Sequence, residues 1–489
     1  MIRSPKSRRT SGRLRAALSA ASVTLLFASP LVGLQDAGAA LEKRQVEVAQ
    51  AFFRSHCSAV DPFGLGAHWK SCAASGFQMT SDAFNFQNYP NAGSDPALGV
   101  HDIVTTATME RWFGRSAVCE HATGTCTPIP AAAEWAKQQA TQMTGGHCLG
   151  MAGLSEAIFT RRAATEELQP GATTTRELSL ATPAVAAGIA SWMATQFKPT
   201  VQNSLVALQK HSLQQTVEQL VRGINAKVPE SMFVFWSHEG SAFGHAVTPV
   251  GVDYNGRGRV FIVVYDNNDP SSFSTIGYDI SSGSWVGGEI KTSPDAPEYS
   301  PTGEAGSLLV VPLSVLQQHS HAPWGGADLP ETAEVATTGG TSHIKVLANH
   351  HWRAISSTSV PGAVKGEHFL PFVDGAGSGG TLVLPPHRTM AIETDGTPTS
   401  GRSPFAVHLS VMLHDERSVT IDETTSCTTA GCTAPTPGGL SVVQSANGAI
   451  AIIAPKGATI TTATPRGVRT FHVTGMATLD AASTALSGR

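Results

Sequence analysis

Apolar residues recur at helical spacing through the middle of the chain. The pattern predicts helices near residues 101–113, over 130–142 and again from Cys148 onward. The last two helices are separated at Gly145 and Gly146, so Cys148 stands in the first turn of a helix. The apolar face of that helix comprises Met151, Leu154 and Ile158.

A further amphipathic helix is predicted to end near Lys227, just ahead of Pro229. Its apolar stripe comprises Leu205, Leu208, Leu220, Val221 and Ile224. After Pro229 the pattern becomes that of β-strands. The strands are predicted at 231–237, 245–253, 259–265, 273–280, 285–290 and 308–313. Helices followed by strands within one segment predict an α+β fold for residues 131–321.

Residues 322–341 are rich in Pro, Gly and Thr, which predicts a linker. Beyond them the pattern is that of strands alone. The clearest alternation is formed by Phe405, Val407, Leu409, Val411 and Leu413, with more polar residues between them. Further strands are expected near Arg417, Leu440, Ile450, Thr459 and Phe471. This spacing predicts an all-β, sandwich-like domain over 342–489.

The first 40 residues have the pattern of a secretory signal peptide. A basic stretch precedes an apolar run over 16–34, and Ala37-Gly38-Ala39 supplies small residues for cleavage. Polar residues interrupt the run, which makes it short against the roughly 20 residues of a membrane span. We therefore expect export through the general secretory route, with Arg8-Arg9 leaving twin-arginine export open, and no membrane span in the mature chain.

Composition and charge narrow the functional classes. Only 14% of the 489 residues are charged, against about 25% in typical globular proteins, which excludes a disordered polyanion or a coiled coil. Residues 1–40 hold six basic residues and one acidic residue, so their removal changes the formal net charge from −4 to −9. With no basic tract left, binding to nucleic acid or to anionic lipid is not expected.

Six of the seven cysteines are close neighbours in sequence. In an oxidising compartment such neighbours predict disulfides. The predicted pairs are Cys57 with Cys72, Cys119 with Cys126, and Cys427 with Cys432. They make residues 41–130 a disulfide-clipped N-terminal segment and leave Cys148 as the odd thiol.

A nucleophilic thiolate needs a lowered pKa, a base for its proton and donors for the oxyanion. The first turn of a helix favours the anion at Cys148 through the macrodipole and unpaired backbone N–H groups. Gly145 and Gly146 would let a substrate approach closely. Six residues before the thiol, the side-chain amide of Gln142 is a candidate second oxyanion donor.

His245 opens a predicted strand and is the candidate base. The Asn-Gly pair at 255–256 predicts a hairpin to the next strand. A two-residue loop places Asp266 opposite His245, whereas a four-residue loop places Asn268 there. In both registers Asp266 and Asn268 share the face of His245, and Asn267 points away.

The order of these residues resembles that of the papain-like cysteine peptidase superfamily, which also includes transglutaminase-like acyl transferases. The segments that carry the resemblance are GGHCLGM at a helix start, GHAVTPVG at a strand start and VYDNNDP at the end of the next strand. The pattern CGSCW of papain itself is absent, so the resemblance is to a distant branch. It covers roughly residues 130–313.

The resemblance implies a helix packed on an antiparallel sheet. It also implies Cys148 as nucleophile, His245 as base and acid, and Asp266 as the group that orients the histidine. Gln142 would complete the oxyanion hole. On this basis we expect a secreted thiol hydrolase that acts on peptide or isopeptide bonds of a protein or peptide substrate and uses no cofactor.

Two other functions remain open at this point. The same three residues would serve an acyl transferase that passes the thioester to an amine, and the fold would also suit a non-catalytic binding protein. A zinc protease is disfavoured because Ala242 stands where the second histidine of HExxH belongs. A zinc cluster of His147, Cys148 and His245 lacks supporting CxxC or HxxxH spacing. Oligomeric state is not predicted.

Overall fold

A computed structural model describes residues 31–89, 104–238, 241–287, 300–324 and, with gaps at the connections, the strands between 331 and 488. Residues 1–30 of the predicted signal peptide lie outside the described residues. The chain divides into two compact units, 1–47 and 48–489. Among the described residues, no helix is both long enough and apolar enough to cross a membrane.

The described helices are α1 (Leu31–His56), α2 (Thr106–Phe113), α3 (Arg115–Val118), α4 (Pro130–Gln142), α5 (Cys148–Phe159), α6 (Thr165–Leu168), α7 (Pro183–Met193), α8 (Pro199–Leu208), α9 (Leu213–Asn225) and α10 (Leu313–Leu316). Helix α1 was not predicted and begins inside the expected signal peptide. The single amphipathic helix expected before Pro229 is wrong, because it consists of α8 and α9. Ser212 separates them, because its side chain caps the start of α9 by accepting a hydrogen bond from the backbone N–H of Gln215.

The first sheet is antiparallel and holds β1 (Lys70–Ala74), β2 (Glu230–His238), β3 (Ser241–Tyr254), β4 (Arg259–Tyr265), β5 (Phe273–Asp279), β6 (Ser284–Val286), β7 (Thr302–Gly303) and β8 (Leu308–Pro312). Its strand order is β7-β6-β5-β4-β3-β2-β8, and β1 pairs with part of β3. Helices and antiparallel strands together confirm the α+β class.

The second sheet forms the C-terminal region. Its strands are β9 (Glu331–Thr338), β10 (Gly340–Ala348), β11 (His351–Ala354), β12 (His368–Pro371), β13 (Ser378–Leu384), β14 (Met390–Pro398), β15 (Ala406–Met412), β16 (Ser418–Thr424), β19 (Leu440–Gln444), β20 (Ile450–Thr464), β21 (Gly467–Leu479) and β22 (Leu486–Gly488), and the separate hairpin holds β17 (Cys427–Thr428) and β18 (Gly431–Cys432). Strand β10 lies against both β9 and β13, so the sheet curls around its own apolar core.

The linker predicted over 322–341 is wrong where β9 lies. This strand pairs with β13 on one side and β15 on the other. Ala333 and Val335 enter the core of the second sheet, while the buried Glu334 accepts a hydrogen bond from Gln139 of α4 at 3.2 Å. The alternation of Ala333, Glu334 and Val335 is too short, between Pro330 and Gly339, for the sequence to indicate a strand.

The second sheet has its own core, but the predicted boundary does not separate it cleanly from the first half of the molecule. Leu370, Phe372 and Met412 from the C-terminal region belong to the same apolar cluster as Cys148 and Phe235. Residues 48–489 therefore form one compact unit. The C-terminal sheet forms part of the surroundings of the candidate site.

Helix α5 is central to the first half of the molecule. Two glycines let α7 approach it closely. A Cβ at Gly150 would lie 2.2 Å from the backbone oxygen of Ile189, and one at Gly153 would lie 2.9 Å from the ring of Trp192. On its other side α5 packs on β3, where Thr248 Oγ1 donates to the carbonyl of Ala152 at 3.3 Å. This packing holds α5 in place against the sheet.

The disulfides Cys57–Cys72 and Cys119–Cys126 are present as predicted. Cys427 and Cys432 are register partners across β17 and β18. Their pairing as a disulfide stays a prediction.

Candidate active site

Cys148 begins helix α5 and forms no disulfide. Its side chain is completely buried. The backbone N–H of Ala246, on β3, donates a hydrogen bond to Cys148 Sγ over 3.1 Å. A donor directed at sulfur and the positive end of the helix dipole both favour the thiolate anion over the neutral thiol.

His245 and Asp266 form a buried pair beside this thiol. His245 Nε2 lies 2.8 Å from Asp266 Oδ1, and neither side chain is exposed to solvent. A carboxylate oxygen accepts hydrogen bonds, so the proton belongs on Nε2 and Nδ1 keeps its lone pair. Among the described residues, His245 Nδ1 has no hydrogen-bond partner, Cys148 Sγ included. The imidazole is therefore oriented by Asp266 and has one nitrogen available for a proton.

The loop of the hairpin that brings His245 and Asp266 together differs from both predictions, but the pairing nearest His245, Thr248 with Tyr265, is the one that the four-residue loop predicts. The loop between Tyr254 and its partner Val260 contains five residues, not two or four. The side-chain oxygen of Asn255 accepts the N–H groups of Arg257 and Arg259, which stabilises this longer turn.

A bulge then corrects the parity. Between Pro249 and Gly251 the pairing shifts by one residue, and Thr248 pairs with Tyr265. Strand β4 ends there, and Asp266 is the next residue. The face shared by His245 and Asp266 therefore results from an odd loop compensated by a one-residue bulge.

Asn268, the alternative orienting residue, supports Asp266. Its backbone N–H donates to Asp266 Oδ1 at 2.9 Å, the same oxygen that meets the histidine. Gln87 Nε2 in turn donates to the carbonyl of Asn268 at 3.1 Å. The carboxylate is held by its own turn as well as by the imidazole.

Sequence reasoning missed the part played by Asn267. Its side-chain Nδ2 donates to the carbonyl of Cys148 at 3.1 Å and to that of Ala246 at 2.8 Å. One amide thus joins the first turn of α5 to β3. The predicted parity places Asn267 away from the His245 face, and nothing in the local sequence indicates where an amide pointing that way would bind.

The N-terminal segment also supports the site. His147 N donates to Asn88 Oδ1 at 2.7 Å, and His147 Nδ1 lies 2.9 Å from the carbonyl oxygen of Tyr89. The rings of His147 and Tyr89 stack with centroids 4.3 Å apart. Asn88 N donates to the carbonyl of Asn267 at 2.7 Å. Residues separated by about sixty positions carry no sequence signal for such contacts, and sequence analysis missed them.

Gln142, the predicted oxyanion donor, is buried at the end of α4. It lines a narrow cleft against the second sheet together with His408, Ser410 and Thr420. Within the described part of the chain its side-chain oxygen accepts no hydrogen bond. The role of Gln142 as an oxyanion donor stays a prediction, and the backbone N–H groups at the start of α5 are further candidate donors.

The site is closed in this structure. Cys148, His245 and Asp266 are all inaccessible to solvent. The backbone of Phe372, which follows β12, covers Gly244 so closely that a Cβ at Gly244 would lie 2.3 Å from the Phe372 oxygen. A substrate therefore reaches the thiol only after a rearrangement near this contact.

One group of side chains in the described residues has metal-ligand spacing, formed by Glu110, Cys119 and Cys126. Its two cysteines are joined in a disulfide. Cys119 and Cys126 are therefore not available as thiolate ligands.

Comparisons with protein-family models, with curated proteins and with solved structures found no match to this chain. The papain-like resemblance thus depends on the order and surroundings of Cys148, His245 and Asp266 alone.

Proposed function

We propose that the protein is a thiol hydrolase that cleaves peptide or isopeptide bonds with Cys148 as nucleophile. The observation that carries this proposal is the buried His245–Asp266 hydrogen bond of 2.8 Å, next to a sulfur held by the N–H of Ala246. In a secreted protein of this kind the first 40 residues would be removed on export.

The chemistry assigns one role to each group. The Cys148 sulfur attacks the carbonyl carbon, and the N–H groups at the start of α5 stabilise the oxyanion. His245 Nδ1 takes the proton of the Cys148 thiol as the sulfur attacks and gives it to the leaving amine as the C–N bond breaks. The same nitrogen then takes a proton from the water that attacks the thioester and returns it to the departing sulfur, which releases the acid and restores the thiol. Asp266 keeps the proton on Nε2 and stabilises the imidazolium.

The closed site requires an opening step before this reaction. The contact of Phe372 with Gly244, the residue before His245, is one barrier to opening. Displacing the segment after β12 would expose the edge of β3 without moving α5. The described state corresponds to the latent form of the enzyme.

Alkylation tests the proposal directly. Native protein is treated with iodoacetamide near neutral pH, and the modified cysteine is identified by mass spectrometry. We expect Cys148 to react, Cys148→Ser to abolish the label, and His245→Ala to slow it while leaving the unfolding temperature largely unchanged. Labelling of Cys148 only after unfolding would contradict the proposal.

A substitution at the barrier sharpens the test. Gly244→Ala places a methyl group against the Phe372 carbonyl and should displace the covering segment. We expect alkylation of Cys148 to be up to about tenfold faster in this variant than in the parent protein, which corresponds to a shift of up to about 1.4 kcal/mol towards the open state. Gly256→Ala is the control for strain away from the site, because a Cβ there meets nothing within 4 Å while the left-handed φ of 74° disfavours alanine.

Complete burial of the site favours a second candidate, a non-catalytic secreted binding protein that retains the fold. This function predicts that Cys148 stays unmodified in native protein and in Gly244→Ala alike. An acyl transferase would instead be identified by incorporation of a fluorescent amine into the acyl product, in place of hydrolysis.

A further inference from the structure

A cavity of about 460 Å³ lies at the C-terminal end of helix α5. We call it the α5 C-terminal cavity. Its lining is formed by Ser75, Glu156, Phe159, Thr160, Arg161, Ile224, Lys227, Val228, Pro229, Glu230 and Pro249. The volume is within the range of about 300–1,000 Å³ found for small-molecule sites. Glu156 follows Cys148 by eight residues, about 12 Å along the helix, so this cavity is separate from the thiol.

Two carboxyl groups lie deep in the cavity. Glu156 is 6% exposed and Glu230 is 4% exposed. In the described part of the chain, Glu230 Oε2 has no hydrogen-bond partner. Gly223 leaves the space for this carboxyl, because a Cβ there would lie 2.3 Å from Oε2. An unpartnered buried oxygen that lines a cavity is suited to receive a donor from a ligand.

Burial raises the pKa of Glu156 to about 8, with Glu230 and Asp82 adding to the effect. Burial likewise raises the pKa of Glu230 to about 8, and a hydrogen bond from Gln219 opposes the rise. No cation is among the causes of either shift, and at neutral pH both carboxyl groups are mostly protonated. A ligand ammonium group would supply that cation.

Two basic residues, Arg161 and Lys227, stand at the mouth of the cavity and are exposed. Each occupies the position just after a helix end, with φ of 58°, in the left-handed region that glycine normally takes there. Arg161 follows α5 and Lys227 follows α9, and both ends close with the same pair of backbone hydrogen bonds. A non-glycine residue at such a position costs about 1 kcal/mol. Both helices that border the cavity therefore end with a cationic residue at a position where glycine would cost less.

The acids and the bases do not neutralise one another. Among the described residues, neither glutamate forms an ion pair with Arg161 or Lys227. Phe159, Ile224 and Pro249 add apolar surface to the lining. The cavity thus combines two buried carboxyl groups, two exposed cations and an apolar surface.

We propose that the α5 C-terminal cavity binds a small zwitterion of the α-amino-acid class with an apolar side chain. The ammonium group meets the two buried glutamates, the carboxylate meets the two basic residues at the mouth, and the side chain packs on the apolar walls. This assignment is independent of the proposed hydrolase activity.

Three probes of one carbon skeleton test it by titration calorimetry on the purified protein. L-Leucine carries both charges, isoamylamine lacks the carboxylate and 4-methylpentanoate lacks the ammonium group. We expect leucine to bind and each single-charge analogue to bind at least about tenfold more weakly, since a charge-assisted hydrogen bond contributes roughly 1.5–3 kcal/mol. Absence of leucine binding at millimolar concentration would overturn the proposal, as would equal binding of isoamylamine.

Variants locate the site and separate binding from folding. Glu230→Gln should weaken leucine binding about tenfold or more, while Glu167→Gln, on the exposed helix α6, should not change it. Lys227→Gly should weaken binding and yet raise the unfolding temperature, because glycine relieves the left-handed conformation. A purely structural role for Lys227 would give the opposite sign of stability change and no change in affinity. Leucine binding that survives both Glu230→Gln and Lys227→Gly would place the ligand elsewhere and refute the assignment.

Discussion

The buried carboxyl groups at the two ends of helix α5 have different partners. At the N-terminal end, Asp266 is satisfied by His245 and by a backbone N–H, and the thiol has its own donor. At the C-terminal end, Glu156 and Glu230 face a cavity without a cation beside them. The His245–Asp266 pair can transfer a proton within the protein, whereas the two glutamates can be neutralised by a ligand cation. The comparison associates chemistry with the first end and ligand binding with the second.

The largest effect is expected from breaking the pair at the N-terminal end. Asp266→Ala removes the acceptor that fixes the proton on His245 Nε2, so turnover should fall by a factor on the order of 10² or more. Asn267→Ala removes donors to two carbonyls and should mainly lower the free energy of unfolding, by about 1–3 kcal/mol. Both variants are measured for turnover of a peptide substrate and for the free energy of unfolding in denaturant.

Leucine affinity provides the control for that experiment. Both variants should bind leucine as the parent does, because the α5 C-terminal cavity lies about 12 Å from Cys148 along the helix. A loss of turnover in Asn267→Ala that exceeds the loss in Asp266→Ala would show that the Asn267 hydrogen bonds, and not the Asp266 carboxylate, govern the reaction.

Substitutions at the two glycines of α5 that contact α7 should lower the stability of the fold. Gly150→Ala sets a methyl group against the backbone oxygen of Ile189, at 2.2 Å, and backbone cannot move aside cheaply. We expect a loss of about 2 kcal/mol in the free energy of unfolding, as for other overpacked cores. Gly153→Ala is the matched comparison, since the methyl group would meet the ring of Trp192 at 2.9 Å and a side chain can shift. Equal losses in chemical denaturation would mean that α7 does not hold α5 through its backbone.

The parts of the site that sequence predicts are those with local signals. Cys148 follows a glycine break and heads a helix, and His245 opens an apolar strand, so both are visible in the pattern. Asp266 is reached through a parity argument in which the loop length is wrong. An unpredicted bulge at the strand beside Pro249 restores the face. A correct residue can thus follow from a register that is incorrect in detail, because parity depends on the sum of loop and bulge.

The parts that sequence does not predict depend on distant packing. Asn88 and Tyr89 meet His147 across about sixty residues, and the turn at Phe372 covers Gly244 from the C-terminal region. Strand β9 is missed because only Ala333 and Val335 of its residues enter the apolar core, while Glu334 on the other face contacts Gln139 of α4. Two apolar residues among Pro, Gly and Thr form too short an alternation to distinguish a strand from a linker.

The smallest effect is expected from pH, and it distinguishes the two ends of α5 without a ligand. The pKa of Glu156 and of Glu230 is raised by burial from 4.5 to about 8 in the folded protein. The folded state therefore binds these protons more tightly than the unfolded state. The stability that they contribute is fully present below about pH 4.5 and is lost as the pH rises towards 8.

Asp253 and Glu334, whose pKa burial raises to about 7, act in the same direction, so the parent protein alone does not isolate the cavity. Glu230→Gln does, because glutamine stays neutral at every pH. We expect the fall in the free energy of unfolding between pH 5 and 8 to be smaller in this variant by about 1 kcal/mol, roughly the value of one pKa unit. Glu167→Gln should keep the parent slope. If Glu230→Gln and the parent lose stability equally, Glu230 is already paired in solution, and the contrast between the two ends of α5 does not hold.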